Sequence, residues 1–220
     1  MTRANADAAA AFFKDEYELN GEIATYPKPI VVLMDGITMG GGAGQALHAS
    51  IRVATEHTRV AMPEAAIGFF PDVGSSFFMS RRIAAAIPDS RLASALARYL
   101  LVTGRVVRGV DCLRIGLATH YVPSVRIPDF LMTLRASANE SFIDIDNTVD
   151  AFSEDEPPPP VDLHKAALPT IRQCFGPEAD FNAMLQKLAQ AGSNAAAETL
   201  APSESPQFSP STWAKECHSQ

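Results

Sequence analysis

Apolar residues along this chain fall into short blocks bounded by glycine or proline. The first, residues 30–34 (IVVLM), is a β-branched run between Pro29 and the Asp35-Gly36 turn signal, which predicts a buried strand. After the Gly40–Gly42 cluster, residues 43–50 are helix-compatible, and the β-branched positions in 51–62 predict a second strand. Leu92, Ala95, Leu96, Tyr99 and Leu100 follow the i, i+3, i+4, i+7, i+8 spacing of an amphipathic helix ending before Gly104, with Tyr99 and Leu100 on its core face. Residues 118–122 (ATHYV) predict another short strand and residues 181–191 a further helix. The last twenty residues, with Pro202, Pro206 and Pro210, show no periodicity. Strands alternating with helices put the first part of the chain in the α/β class.

Composition adds a division to this picture. Eleven of the 13 glycines precede residue 117, whereas nine of the 16 prolines follow residue 150. The segment 153–160 (SEDEPPPP) is acidic and then pure proline, which favours an extended linker. A boundary is therefore expected near 150–161, separating residues 1–150 from residues 151–220. At 220 residues, 47% hydrophobic and 20% charged, the chain suits one ordinary globular domain. No apolar run reaches the roughly 20 residues of a bilayer span. The first twenty residues, with Asp7, Asp15 and Glu16, show neither a signal nor a typical transit peptide. A net charge of -7 argues against a nucleic-acid partner. Cys112, Cys174 and Cys217 share no metal-type spacing, and an odd count fits a reduced compartment.

The glycine cluster sits where a strand hands over to a helix. Such a position leaves backbone N–H groups unpaired at the positive end of the helix dipole, where an anion or developing oxyanion can be held. Two nucleotide-binding motifs fail on spacing. The sixth position of a dinucleotide fingerprint is Gln45 or Leu47, and no Lys follows the glycines as a phosphate loop requires. A tight turn for close helix–strand packing is the alternative.

Downstream, Glu64 and Asp72 lie eight residues apart in apolar sequence punctuated by Pro63, Gly68, Pro71 and Gly74. Carboxylates so placed risk desolvation, which raises their pKa and suits nucleophilic or acid–base chemistry. Equally, each can cap a turn or helix, Asp72 next to Gly74-Ser75 above all. The eight arginines between Arg81 and Arg126 face only Asp89 and Asp111, an excess that can attract phosphates or form solvated helix faces. His48 and His120 have no Gly-x-Ser-x-Gly elbow to serve, and are expected to be packed or hydrogen-bonded structural residues. Cys112 is expected to fill the core.

These motifs together resemble the crotonase (enoyl-CoA hydratase/isomerase) superfamily and, within it, the 3-hydroxyisobutyryl-CoA hydrolase branch. The resemblance runs from about residue 12 to residue 122, through FFKDEYELN, KPIVVLMDGITMGGGAG, RVATEHTRVAMPEAAIGFFPDVGSSFF, LVTGRVVRGVD and GLATHYV. It implies an α/β crotonase-like spiral of ββα units, truncated on its N-terminal side and followed by a helical or irregular tail. Residues 1–150 would form a partial acyl-CoA domain, and residues 151–220 a Pro-rich linker and an incomplete C-terminal region.

Hydratases of the superfamily use two glutamates. One of their positions is Gly44 here and the other is Glu64, while Pro71-Asp72 matches the hydrolase pattern. The resemblance therefore implies hydrolysis of 3-hydroxyisobutyryl-CoA to 3-hydroxyisobutyrate and CoA, a step of valine breakdown. The Gly41 N–H would contribute to the oxyanion hole. Glu64 would attack the thioester carbonyl or activate water, and Asp72 would hydrogen-bond the substrate hydroxyl or help hold the reacting group. Glu16, Gly40 and Gly42 would line the substrate. No metal or redox cofactor is implied, since coenzyme A is part of the substrate. An acyl-CoA is the implied partner, with self-association or pairing to a full-length homologue, and with neither nucleic acid nor membrane. The implied compartment is mitochondrial if the source is eukaryotic.

The family's other oxyanion donor is expected on a Gly-Gly-Asp loop upstream of the matching segment. Losing one such donor typically costs about 100- to 1,000-fold in rate. A partial copy of the fold is thus the expectation. A non-catalytic crotonase-like fragment and an enoyl-CoA hydratase/isomerase stand as alternatives.

Overall fold

The computed structural model describes residues 3–136, 142–154 and 167–190. A long helix, α1 (Arg3–Thr25), precedes the first ββα unit, made of β1 (Val31–Met34), β2 (Ile37–Met39) and α2 (Gly41–His48). The next unit contains β3 (Ile51–Ala54), β4 (Arg59–Ala61), a 3-10 turn at Glu64–Ile67, α3 (Ser75–Ala86) and α4 (Ser90–Thr103). After it come β5 (Val107–Arg108), α5 (Val110–Arg114) and β6 (His120–Tyr121). Four further helices are described: α6 (Ile127–Ala136), α7 (Phe142–Phe152), α8 (Ala167–Cys174) and α9 (Phe181–Gln190).

Successive units add strands to two sheets, ordered β1-β3-β6 and β2-β4-β5. Val31 pairs with Ile51 and Ile37 with Arg59, both in parallel, so each circuit of the chain returns above the last. Only the β4–β5 pair is antiparallel among the described strands. This is the ββα spiral that the resemblance implies.

Local chemistry explains where the elements differ from the sequence pattern. The single strand expected over 51–62 is broken by a turn, in which the Thr55 N–H donates to Thr58 Oγ1 at 2.7 Å and the Thr58 hydroxyl donates to the Met34 carbonyl. The helix expected over 43–50 begins earlier, inside the glycine cluster, and stops at His48 because Ala49 is extended. The strand expected over 118–122 narrows to His120–Tyr121. The helix around Leu96 is as expected: Asp89 Oδ1 accepts from the N–H groups of Arg91 and Leu92, and Gly104 ends it in the left-handed region at φ 63°. The helix expected over 181–191 is α9.

The apolar pattern of the sequence does not mark residues 3–25 as a helix. The inward positions of α1 are Ala9, Phe13, Glu16, Asn20 and Ile23, a helical repeat that mixes apolar with polar residues. A pattern sought in hydrophobicity alone does not register a face that covers a polar site rather than a core.

The main core is shared by Leu47, Met62, Phe78, Ile83, Leu96, Tyr99 and Leu100, with Cys112 inside it as expected. Ile171, Cys174 and Phe175 from α8 and the residues after it join this core, where the Tyr99 and Phe175 rings meet edge to face at 5.3 Å. A smaller cluster of Ile51, Val53, Val122, Phe130 and Val149 lies where α6 and α7 cover β3. The expected boundary at 150–161 falls at the end of α7 and in residues outside those described, as do the proline run from 157, Cys217 and the last twenty residues.

The arginines act as fasteners. Arg98 donates to the carbonyls of Gly176 and Ala179 at 3.0 and 2.6 Å, Arg91 pairs with Glu178 at 2.9 Å, and Arg126 donates to the Phe152 carbonyl at 2.8 Å. Arg81 lies over the Phe77 ring. These contacts give Arg81, Arg91, Arg98 and Arg126 scaffolding partners. His120 is likewise structural, with Nε2 3.0 Å from Asp150 Oδ1.

Arg52 carries the heaviest constraint. It is 2% exposed on β3, and its guanidinium donates to the carbonyls of Leu117, Ala49, Ser50 and Gly116. Burial, with a smaller push from the Arg82 charge, lowers its pKa to about 10. Replacing it orphans these carbonyls, so Arg52→Leu is expected to cost about 2–4 kcal/mol, read as a lower urea midpoint at an unchanged m-value.

Candidate active site

Helix α2 starts on a backbone that only glycine tolerates comfortably. Gly40 has φ 54° and ψ -126°, donates its N–H to the Ala61 carbonyl at 3.3 Å, and accepts the first helical bond from Gly44. Gly41 is the first helical residue, where amide N–H groups have no partner further back in the helix. Both glycines are pressed by carboxylates. A Cβ on Gly40 would stand 3.1 Å from Glu64 Oε1, and one on Gly41 would overlap Glu16 Oε1. Gly42 differs, because a Cβ there would meet nothing within 4 Å. The structure thus brings Glu16 and Glu64 to Gly40-Gly41 but crowds nothing against Gly42.

Glu64 leaves β4 through Met62-Pro63 and opens the 3-10 turn that Gly68 closes at φ 72°. The residue is 7% exposed, and Oε2 has no hydrogen-bond partner. Burial raises its pKa, the Asp72 charge adds to the rise, and a backbone hydrogen bond partly opposes it. Glu16 reaches the same region from α1, and its pKa is raised by burial and then by Asp72.

Asp72 does not cap α3. The residue preceding that helix is Gly74, with no side-chain cap, and Asp72 Oδ2 instead accepts from the Tyr17 hydroxyl at 2.8 Å. Burial, that hydrogen bond, and the charges of Asp72 and Glu16 push the Tyr17 phenol up to about 12. The Asp72 charge therefore acts on Glu16, Tyr17 and Glu64 together, which places the three acids around one locus. Such a group can supply a base or nucleophile from Glu64, a hydrogen-bonding carboxylate from Asp72, and amide donors from the first turn of α2.

Asp72 also forms part of the wall of a cavity of about 650 Å³ bounded by Tyr17, Asn20, His48, Phe70 and Val73. Glu64 and Gly41 are not part of that wall. An aromatic seam ties α1 to the 64–72 loop, with Phe13 stacked on Phe69 at 6.1 Å and Phe69 on Phe70 at 4.6 Å. Sequence reasoning missed Tyr17, Asn20 and Val73. Only the adjacency of Tyr17 to Glu16 could have pointed to one of them.

Gly44, the position at which the resemblance implies a second glutamate in hydratases, is packed against Val73. A Cβ there would lie 2.6 Å from the Cβ of Val73. Among the described residues, no group of three His, Cys, Asp or Glu side chains is arranged to hold a metal ion, and no helix is long and apolar enough to cross a membrane.

Comparison with known proteins agrees with this fold. A family model described as enoyl-CoA hydratase/isomerase matches residues 1–214. A small ribosomal subunit protein, mS47, of Schizosaccharomyces pombe is 41% identical over 163 residues, 74% of this chain and 36% of that protein. A mitochondrial 3-hydroxyisobutyryl-CoA hydrolase of Xenopus tropicalis is 44% identical over 140 residues, 62% of this chain and 34% of the relative. Among solved structures, a carnitinyl-CoA dehydratase from Mycobacterium thermoresistibile superposes with a TM-score of 0.71 at 36% identity, covering 90% of this chain and 53% of that one. The chain thus spans about a third of the length of these curated relatives. With a family model matched along nearly its whole length and the ββα spiral in place, the chain belongs to the enoyl-CoA hydratase/isomerase family.

Proposed function

We propose that this chain carries the catalytic centre of an acyl-CoA thioester hydrolase acting on 3-hydroxyisobutyryl-CoA. The observation that supports this most is the buried Glu64 carboxylate, with one oxygen unpartnered and the other close against Gly40 at the start of α2. In this reading the thioester oxygen takes a hydrogen bond from the Gly41 N–H. Either Glu64 attacks the carbonyl carbon, forming an acyl anhydride that water then cleaves to free acid and carboxylate, or it removes a proton from a water that attacks directly. In both cases the carbon–sulfur bond breaks and the thiolate of coenzyme A takes up the proton that the water gives up. Asp72, held by Tyr17, accepts the substrate hydroxyl, and Glu16 with Gly40 and Gly42 borders the acyl thioester. The steps so written move protons and one acyl group, so they call for neither a metal nor a redox cofactor. The relatives named as mitochondrial hydrolases support a place in valine breakdown in that compartment. Gly44 packed on Val73 counts against hydration by paired glutamates.

A second reading is a crotonase fold without catalysis, as a component of an assembly or as a partner of full-length homologues. The match to a small ribosomal subunit protein favours it.

Thiol release from 3-hydroxyisobutyryl-CoA separates the two. The enzyme reading expects release above background, with Glu64→Gln lowering kcat by about 100- to 10,000-fold. Equal rates for both proteins would defeat it.

Glu64 also links activity to pH. Its raised pKa means that the folded chain holds its proton more tightly than the unfolded chain does, so ionisation destabilises the fold as pH rises through the folded value. Activity should therefore rise with pH on an acid limb lying above the ordinary glutamate value of 4.5. Glu64→Gln should raise Tm at pH 7, with the gain fading as pH falls and the wild-type residue becomes neutral. A lower Tm for Glu64→Gln at pH 7 would contradict this account of Glu64.

A further inference from the structure

Two residues of α2, four positions apart, converge on Val73. This valine is β-branched yet has φ 49°, the one non-glycine with positive φ among the described residues. Such a backbone persists only where the surroundings hold it. The side chain is buried and rests on Gly44, where any Cβ would collide with it. The Val73 carbonyl accepts from His48 Nε2 at 2.9 Å, so that nitrogen carries the hydrogen. His48 is in turn set edge-on against Phe78, with ring centroids 5.4 Å apart. Gly74 follows at φ 74°, where a Cβ would come within 3.0 Å of the same imidazole nitrogen. The Ser75 N–H then closes the turn onto the Asp72 carbonyl at 2.8 Å.

The direction of the Asp72 side chain follows from this turn. We propose that Gly44 and His48 are positioning residues for the Asp72 carboxylate: the first gives Val73 a notch, the second holds its carbonyl, and together they keep Asp72 against Tyr17. Helix α2 thereby sets both the Gly40-Gly41 end beside Glu64 and the loop that carries Asp72. The catalytic consequence rests on the hydrolase reading; the positional one does not.

The test uses His48→Phe, which keeps an aromatic ring but removes the donor, and His48→Gln, which restores an N–H. Tyr17 is the reporter, followed by phenolate absorbance in rapid pH jumps with Tyr17→Phe as the blank. In the folded His48→Phe variant, Tyr17 should titrate below about 12 and toward the ordinary value of 10, and His48→Gln should return it most of the way. Val73→Gly, which relieves the backbone and empties the notch, should shift Tyr17 in the same direction and serves if His48→Phe does not fold. An unchanged Tyr17 titration in the folded variants overturns the proposal, whatever the enzyme does. If the wild type hydrolyses the thioester, His48→Phe should lower kcat at least tenfold, with little further loss in an Asp72→Asn background; additive losses overturn action through Asp72. A Tyr17 shift in a chain without hydrolase activity supports the positioning role and overturns the hydrolase reading.

Discussion

The structure depends on the absence of side-chain atoms along one edge of α2. At Gly40, Gly41 and Gly44 a Cβ would press on Glu64, overlap Glu16 or strike Val73. Three unrelated segments, namely α1, the turn after β4 and the loop before α3, can approach a helix this closely only because glycine occupies those positions. A helix of eight residues thereby becomes the meeting point of the Glu16 and Glu64 carboxylates and of the valine that follows Asp72. Its amides supply partial positive charge where those acids gather.

Two buried charges show how differently the fold treats scaffold and chemistry. The Arg52 guanidinium is surrounded by backbone carbonyls that turn its desolvation into cross-links between circuits of the spiral. Glu64 receives no such compensation. One oxygen is unpartnered, a neighbouring negative charge raises its pKa further, and a backbone hydrogen bond offsets only part of this. A burial cost only partly compensated, in contrast to a guanidinium whose cost is met by four carbonyls, suits a reacting group. Tyr17 stands between these cases, because its hydrogen bond orients Asp72 while binding its own proton more tightly.

Family membership and reaction are separate conclusions. The ββα spiral is carried by strand pairing and by a core drawn from α2, α3, α4 and α8, none of which requires a working site. Relatives of similar identity include proteins named as hydrolases and one named as a ribosomal subunit. The feature bearing on chemistry is local, namely Glu64 and Glu16 set against Gly40 and Gly41, with the Asp72 charge acting on both acids.

Much of this was legible from the residues alone. Helix α4 announced itself through apolar spacing and Gly104, local signals that need no partner. The motif order identified the family, and with it Gly41, Glu64, Asp72 and Glu16 as residues to examine. The sequence could not say that Asp72 bonds to Tyr17 rather than capping α3, since those residues are 55 positions apart and meet only when α1 folds over the loop. Nor could it reveal α1 itself, whose inward face is half polar because it covers a site. The strained Val73 was equally hidden. Its backbone angle is held by a notch and a hydrogen bond from α2, and a residue's own preferences carry no record of what distant neighbours will force upon it.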